Sequence, residues 1–185
     1  MSPILLDRAA RIVSGGGLVA YPTEAVYGLG CLPQRREAVE RLLAVKRRSW
    51  RKGLALVAAS VQQLEPLVVL PAGGLRAEVL DSWPGPVTWA LEARPGMPKW
   101  LNGGRDSLAV RVTDHPVARA LCERVGSPLV STSANRSGRP PLRRALQVRR
   151  EFGAELDDVL TGRLGGLRQP TLIRDGRTGT ILRGT

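Results

Sequence analysis

Short apolar runs alternate along this chain with segments whose apolar positions return every three to four residues. That order leaves few architectures other than an α/β sheet with flanking helices. Residues 5–13 put Leu5, Leu6, Ala9, Ile12 and Val13 on one helical face, and Gly15-Gly16-Gly17 stops them. The run 18–21 reads as a strand broken by Pro22. A second helix is predicted over 35–47, with Ala38, Val39, Leu42, Leu43 and Val45 apolar and Glu37 paired to Arg41 one turn on. Strand 54–58 follows, then a helix with Ser60 and Gln63 as its capping box. Pro84-Gly85-Pro86 turns into strand 87–91, and strand 108–112 precedes a helix over 115–125 that Asp114 caps, with Pro116 in its first turn. Strand 129–132, helix 143–152 and two strands at 171–173 and 180–182 complete the pattern. The close spacing of the last two predicts mixed rather than purely parallel pairing.

A chain of 185 residues that is 43% hydrophobic can bury one substantial core. It has no repeat, low-complexity tract or long linker, so one domain over 1–185 is expected. Cys31 and Cys122 are too few for a disulfide framework, and with a single His they form no zinc site. Asp7, Arg8 and Arg11 interrupt the N-terminal apolar residues, and no stretch approaches the ~20 apolar residues of a membrane span. A soluble cytoplasmic protein without membrane association is the expectation.

Lys and Arg total 28 against 16 Asp and Glu, giving +12. Such an excess favours polyanionic partners, nucleotides or RNA. Aromatic residues are only 4%, too few for a base-stacking platform, so the contact is expected mainly with phosphates. Only three cations are lysines, and Lys46 and Lys52 bracket Arg47, Arg48 and Arg51. An ammonium follows a phosphate as a point charge where a guanidinium imposes a planar fork. A solvated cationic turn would use the same residues. No G-x-x-x-x-G-K-[ST] or G-x-G-x-x-G is present, so neither a P-loop nor a Rossmann cofactor site is supported. The one histidine, His115, sits beside Asp114 at a helix start, which reads as a cap region and not as a catalytic base.

Three loops at strand ends carry the remaining polar chemistry. Residues 21–30 combine a hydroxyl, a carboxylate and two glycines; 46–52 are the cation run; and 131–135 read Ser-Thr-Ser-Ala-Asn. Each could equally be a structural turn. Taken in order, Pro-Thr-Glu-x-Val-Tyr-Gly-Leu-Gly, Lys46-x-Arg48 with Lys52-Gly53, Trp83-Pro84-Gly85-Pro86-Val87-Thr88, residues 107–112 as Ser-Leu-Ala-Val-Arg-Val, and Ser133-Ala134-Asn135 resemble the YrdC family from the first helix to the last strand.

The resemblance is strongest to the family's short members without a further C-terminal domain. It implies a twisted mixed β-sheet with an open, positively charged concave face. It also implies threonylcarbamoyl-AMP synthase activity, using L-threonine, bicarbonate or CO2 and ATP with Mg2+, and releasing diphosphate. The adenylate would pass to threonylcarbamoyl-transferase proteins that modify tRNAs reading codons that begin with A. Carried over residue by residue, Lys46, Arg48 and Lys52 hold the triphosphate. Ser107, Ser133, Asn135 and Arg183 complete the ATP site. Thr23, Arg111, Ser131 and Thr171 form the threonine pocket. Arg111 is the bidentate partner expected for the threonine carboxylate, with pairing to Asp106 or Asp114 as its structural alternative.

Two positions depart from the family pattern. Ser49 stands where many members have Pro after Lys-x-Arg, and Val57 stands where longer members carry a His. Two rival readings use the same residues: a non-catalytic RNA-binding or ribosome-maturation protein working through the basic face, and an accessory module that binds the adenylate without making it. Steep salt dependence would mark the first, and absence of diphosphate release the second.

Overall fold

The protein is described by a computed structural model covering residues 2–169 and 171–183. In chain order the elements are α1 (Pro3–Ser14), β1 (Val19–Pro22), β2 (Tyr27–Gly30), α2 (Arg36–Lys46), β3 (Ala55–Ala58), β4 (Val68–Val69), α3 (Gly73–Asp81), β5 (Val87–Ala93), α4 (Lys99–Asn102), β6 (Ser107–Val112), α5 (Pro116–Val125), β7 (Leu129–Ser133), α6 (Ala145–Phe152), β8 (Asp158–Val159), β9 (Leu172–Asp175) and β10 (Ile181–Arg183), with short 3-10 turns between them. The strands form one sheet in the order β10-β9-β5-β6-β3-β7-β2-β1-β8, and β4 adds to β5. Pairing is mixed: β3/β6, β5/β9 and β1/β8 are parallel and the rest antiparallel.

Strand alternation decides which face each helix covers. Leu18, Ala20, Leu56, Ala58, Leu108, Val110 and Val112 point into one core with α2, α3 and α6, which contributes Val148 and Phe152. Val19, Tyr21, Val57 and Leu129 point the other way, beneath Leu6, Ala9 and Val13 of α1 and Val117, Ala118 and Leu121 of α5. On this second face, β3 continues to Ala55, β6 to Ser107 and Ala109, and β7 to Ser131 and Ser133; these side chains line a cavity rather than a core. The substitution of Ala and Ser for Val and Leu along the same strands makes the site.

Several expectations change against this fold. Pro22 closes β1 instead of breaking it, since a terminal strand residue loses no interior ladder bond, and residues 21–30 form a β1–β2 hairpin with Pro22 opposite Tyr27. Ser60 makes no cap, and residues 61–63 are one 3-10 turn in which Gln63 Oε1 accepts from the Ala59 amide. His115, not Asp114, occupies the cap position of α5, without a side-chain cap bond. Arg41 reaches across to Asp157 rather than Glu37, with Nη1 donating to Oδ2 at 2.7 Å. Cys31 and Cys122 are both free and buried, and burial pushes both thiols up to about 12.

Candidate active site

The cavity over the uncovered half of the sheet has a volume of about 930 Å3. Thr23, Arg48, Lys52, Ser107, Arg111, Ser131, Ser133, Thr171 and Arg183 of the expected set line it. Thus residues from three loops and from β6, β7 and β10, far apart in sequence, converge on one face. No Asp or Glu is among the described lining residues.

One end is cationic. Arg48 follows α2, whose C-cap Arg47 has φ 50 and turns the chain sharply. Arg48 Nη2 donates to the Gly53 carbonyl at 2.9 Å, while its buried Nε has no acceptor among the described residues. An unmet buried donor costs about 1–3 kcal/mol, and an anionic oxygen would satisfy it. Burial, then Arg183 and Arg105, lower the Arg48 pKa, so both of these guanidiniums stand close enough to Arg48 to repel it. Lys52 ends the 3-10 turn Trp50–Lys52, which Ser49 caps by accepting from the Arg51 amide at 3.3 Å. Among the described residues, none of Arg48, Lys52, Arg105 and Arg183 forms an ion pair with a carboxylate. Nothing in the sequence singles out Arg105, because its Gly-Gly-Arg-Asp turn has no periodicity.

Lys46 and Asn135 do not line this cavity, against expectation. The Lys46 side chain is buried, and its ammonium donates to the Ser133 carbonyl, to the Asn135 carbonyl at 2.9 Å and to Asn135 Oδ1 at 3.4 Å. Asn135 Oδ1 also accepts from Ser133 Oγ at 2.6 Å, and its Nδ2 donates to the carbonyls of Arg136 and Arg139. The pair therefore clamps the end of β7 to the end of α2, leaving Ser133 and Arg48 to face the cavity. Burial and then Arg48 push the Lys46 pKa down to about 7.

The other end is built by the β1–β2 turn. Thr23 Oγ1 donates to the Val26 carbonyl at 2.7 Å. Arg111 is buried, and its Nη1 donates to Glu24 Oε2 at 2.8 Å, so its partner is neither Asp106 nor Asp114. Asp106 instead accepts from Arg177. Glu24 Oε1 accepts from Thr113 Oγ1, which fixes the carboxylate from both sides. Arg111 Nε and Nη2 have no acceptor among the described residues, and the side chain still reaches the cavity. Thr171 approaches Thr88, hydroxyl to hydroxyl, at 3.4 Å. Gly28 leaves room between Thr23 and Ser131: an added Cβ would stand 3.2 Å from Thr23 Cγ2 and 3.4 Å from Ser131 Oγ. Val57 is wholly buried under α5 and gives the cavity nothing. His115 lies outside the cavity, its Nε2 3.1 Å from the Arg163 carbonyl.

An α/β sheet whose second face is only partly covered by helices, and which opens unpaired arginines and strand-end hydroxyls into a cavity over the rest, defines a protein built to hold an anionic, phosphate-bearing ligand beside a smaller polar one. The family model described as "Telomere recombination" (Sua5/YciO/YrdC) matches residues 11–184, and this chain belongs to that family. It is 56% identical over 183 residues to the threonylcarbamoyl-AMP synthase of Halorhodospira halophila, covering 98% of this chain and 95% of that protein. It is 54% identical over 175 residues to that of Nitrosococcus oceani, covering 95% of each. Among solved structures, P. abyssi Sua5 complexed with L-threonine superposes with TM-score 0.86 at 33% identity. That match takes in 95% of this chain but 52% of Sua5, so this chain spans about half of that structure's length and nearly all of its curated relatives'.

Proposed function

We propose that this protein is a threonylcarbamoyl-AMP synthase, converting L-threonine, bicarbonate or CO2 and ATP to threonylcarbamoyl-adenylate and diphosphate, with one water released when bicarbonate is the carbon source. The observation that carries this reading is the division of one cavity into two ends. Arg48, Lys52, Arg105 and Arg183 stand at one without carboxylate partners among the described residues, and Arg111, Thr23 and Ser131 stand at the other. The unclaimed Nε and Nη2 of Arg111 suit the threonine carboxylate, and Glu24 holds the guanidinium plane for it. The carbamate formed on the threonine amine would attack the α-phosphorus, forming the new P–O bond as the bond to diphosphate breaks. Such a displacement needs positioning and charge stabilisation more than a protein nucleophile. This agrees with a cavity lined by cations and hydroxyls, without a histidine.

Mg2+ would come with the nucleotide. Among the described residues no group of three or more His, Cys, Asp or Glu could hold an ion, so the triphosphate oxygens would be its ligands. Lys46 and Asn135 act in this reading as positioning residues, not phosphate ligands. Contact with RNA would fall on the neighbouring groove of about 1100 Å3, where Arg47, Arg139 and Arg144 stand. None of the described helices is long and apolar enough to cross a membrane.

Incubation with ATP, Mg2+, bicarbonate and L-threonine, followed by mass analysis of the nucleotide and a diphosphate assay, tests the reading. Diphosphate release should require both threonine and bicarbonate or CO2. Release at an unchanged rate without amino acid would leave a plain ATPase and sink the synthase assignment.

A further inference from the structure

We infer that Arg105 is a further substrate-binding residue of this site, one that grips the leaving diphosphate half of the nucleotide. This rests on the synthase reading above for the identity of the ligand, though not for the geometry. Arg105 lies just before β6, in the turn after α4, and its side chain lines the cavity. The turn is built to hold it. Asn102 is buried, donates through Nδ2 to the Arg105 carbonyl at 2.5 Å and accepts at Oδ1 from the Gly104 amide at 2.9 Å. The Arg105 guanidinium then donates through Nη1 to the Asn102 carbonyl at 3.2 Å. Two glycines leave the space it occupies: a Cβ on Gly103 would fall 2.6 Å from Arg105 Nη1, and one on Gly53 3.0 Å. Both have positive φ, 71 and 67, which L side chains rarely adopt.

A held arginine beside Arg48, with no carboxylate among the described residues to neutralise either, is costly in an unliganded protein and favourable once a polyanion arrives. Direction along the sheet says which part of the polyanion. Ser107, Ala109 and Arg111 alternate along one face of β6, about 13 Å from first to last, with Arg105 beyond the near end. In-line displacement puts attacker and leaving group on opposite sides of the α-phosphorus. If the carbamate is anchored through the threonine carboxylate at Arg111, diphosphate leaves toward the other end, where Arg105 stands. Neighbouring Arg177 is tied to Asp106 at 2.6 Å, so it serves as a control.

The experiment is calorimetric titration of Arg105→Ala, Arg105→Lys and Arg177→Ala with ATP, inorganic diphosphate, AMP and L-threonine. Truncation leaves the Asn102 bond to the residue-105 main chain intact, so the turn should persist. Arg105→Ala should weaken ATP and diphosphate at least about tenfold, the loss of one charge-assisted contact, with AMP and threonine within about twofold. Arg105→Lys should recover part of that loss, and Arg177→Ala should bind all four like the parent. Equal weakening of AMP and diphosphate, or unchanged diphosphate binding, would overturn the assignment. Failure of the parent itself to bind ATP or diphosphate would sink the synthase reading instead, so the two failures are distinguishable.

Discussion

Lys46 shows how far a single residue's role can depart from its composition. A lysine kept among arginines suggests a phosphate ligand, yet its three donors are taken by Ser133 and Asn135. Burial lowers its pKa from 10.5 to about 7, while an unfolded chain would keep the ordinary value. Between those values the unfolded state binds more protons than the folded one, so this group makes stability rise with pH from about 7 toward 10.5. We expect the unfolding free energy of the parent, measured against Lys46→Met by urea titration, to gain on the variant between pH 7 and pH 9. A difference that falls with pH would mean the carbonyl cage wins over burial. Glu24 is the second residue-scale test. Glu24→Gln should leave Arg111 charged and buried without its ion-pair partner, at a cost of about 3–5 kcal/mol in urea unfolding. Arg111→Lys should raise the threonine KM at least about tenfold, with ATP affinity little changed, because one forked contact is lost and the charge kept. Threonine kinetics unchanged in a variant of lower Tm would assign Arg111 to structure alone.

At the scale of elements, strands whose apolar residues alternate or run together were legible, and so were α1, α2, α5 and α6, whereas the helix expected from Ser60 is a single 3-10 turn. What sequence periodicity missed has a physical reason in each case. Of α3, only Val79 is buried, so no apolar stripe marks the helix. β8 is two residues long and includes Asp158, whose carboxylate is held by Arg8 at 2.7 Å, a pairing 150 residues apart that no local pattern carries. Ser107, Arg111 and Ser131, which the family resemblance named and which lie on strands, line the cavity, so that part of the site's lining was legible. The site was unreadable where a turn supplies the geometry, as at Arg105, or where another element absorbs the donors, as at Lys46. The turn after α2 offers its own test. Ser49 has φ −64, the angle proline would impose, and its amide makes no backbone hydrogen bond among the described residues. Ser49→Pro should therefore restrict the unfolded chain more than it strains the folded one, by about 0.4–1 kcal/mol, less the weak cap to the Arg51 amide. We expect Tm to rise by about 1–3 °C. A fall would show that the Ser49 cap, not the backbone angle, sets the turn.

Over the whole molecule the net charge is +12. Asp158, Asp157, Glu24, Glu151, Glu155, Glu78 and Asp106 each engage an arginine at ion-pair distance. Arg48, Lys52, Arg105 and Arg183 of the cavity have no such partner among the described residues, so unpaired positive charge is gathered at that end. Two kinds of added anion should then act differently. Chloride screens exposed charges over a Debye length of about 8–10 Å and relieves general repulsion slightly everywhere. A diphosphate or ATP that bridges Arg48, Arg105 and Arg183 binds only the folded chain, because only folding brings these residues together. Linkage gives such a ligand about 2.7 kcal/mol of stabilisation at a hundred times its Kd. For a chain of this length that is roughly 5–11 °C in Tm. We expect ATP or diphosphate at that excess to produce this shift by thermal denaturation, and sodium chloride of equal ionic strength to produce little. Arg48→Ala should lower the ATP shift while leaving the chloride response alone, since one lost cation hardly changes the overall field but removes a phosphate contact. Equal shifts from chloride and diphosphate would mean that the molecule responds to its total charge and that the cavity adds nothing specific.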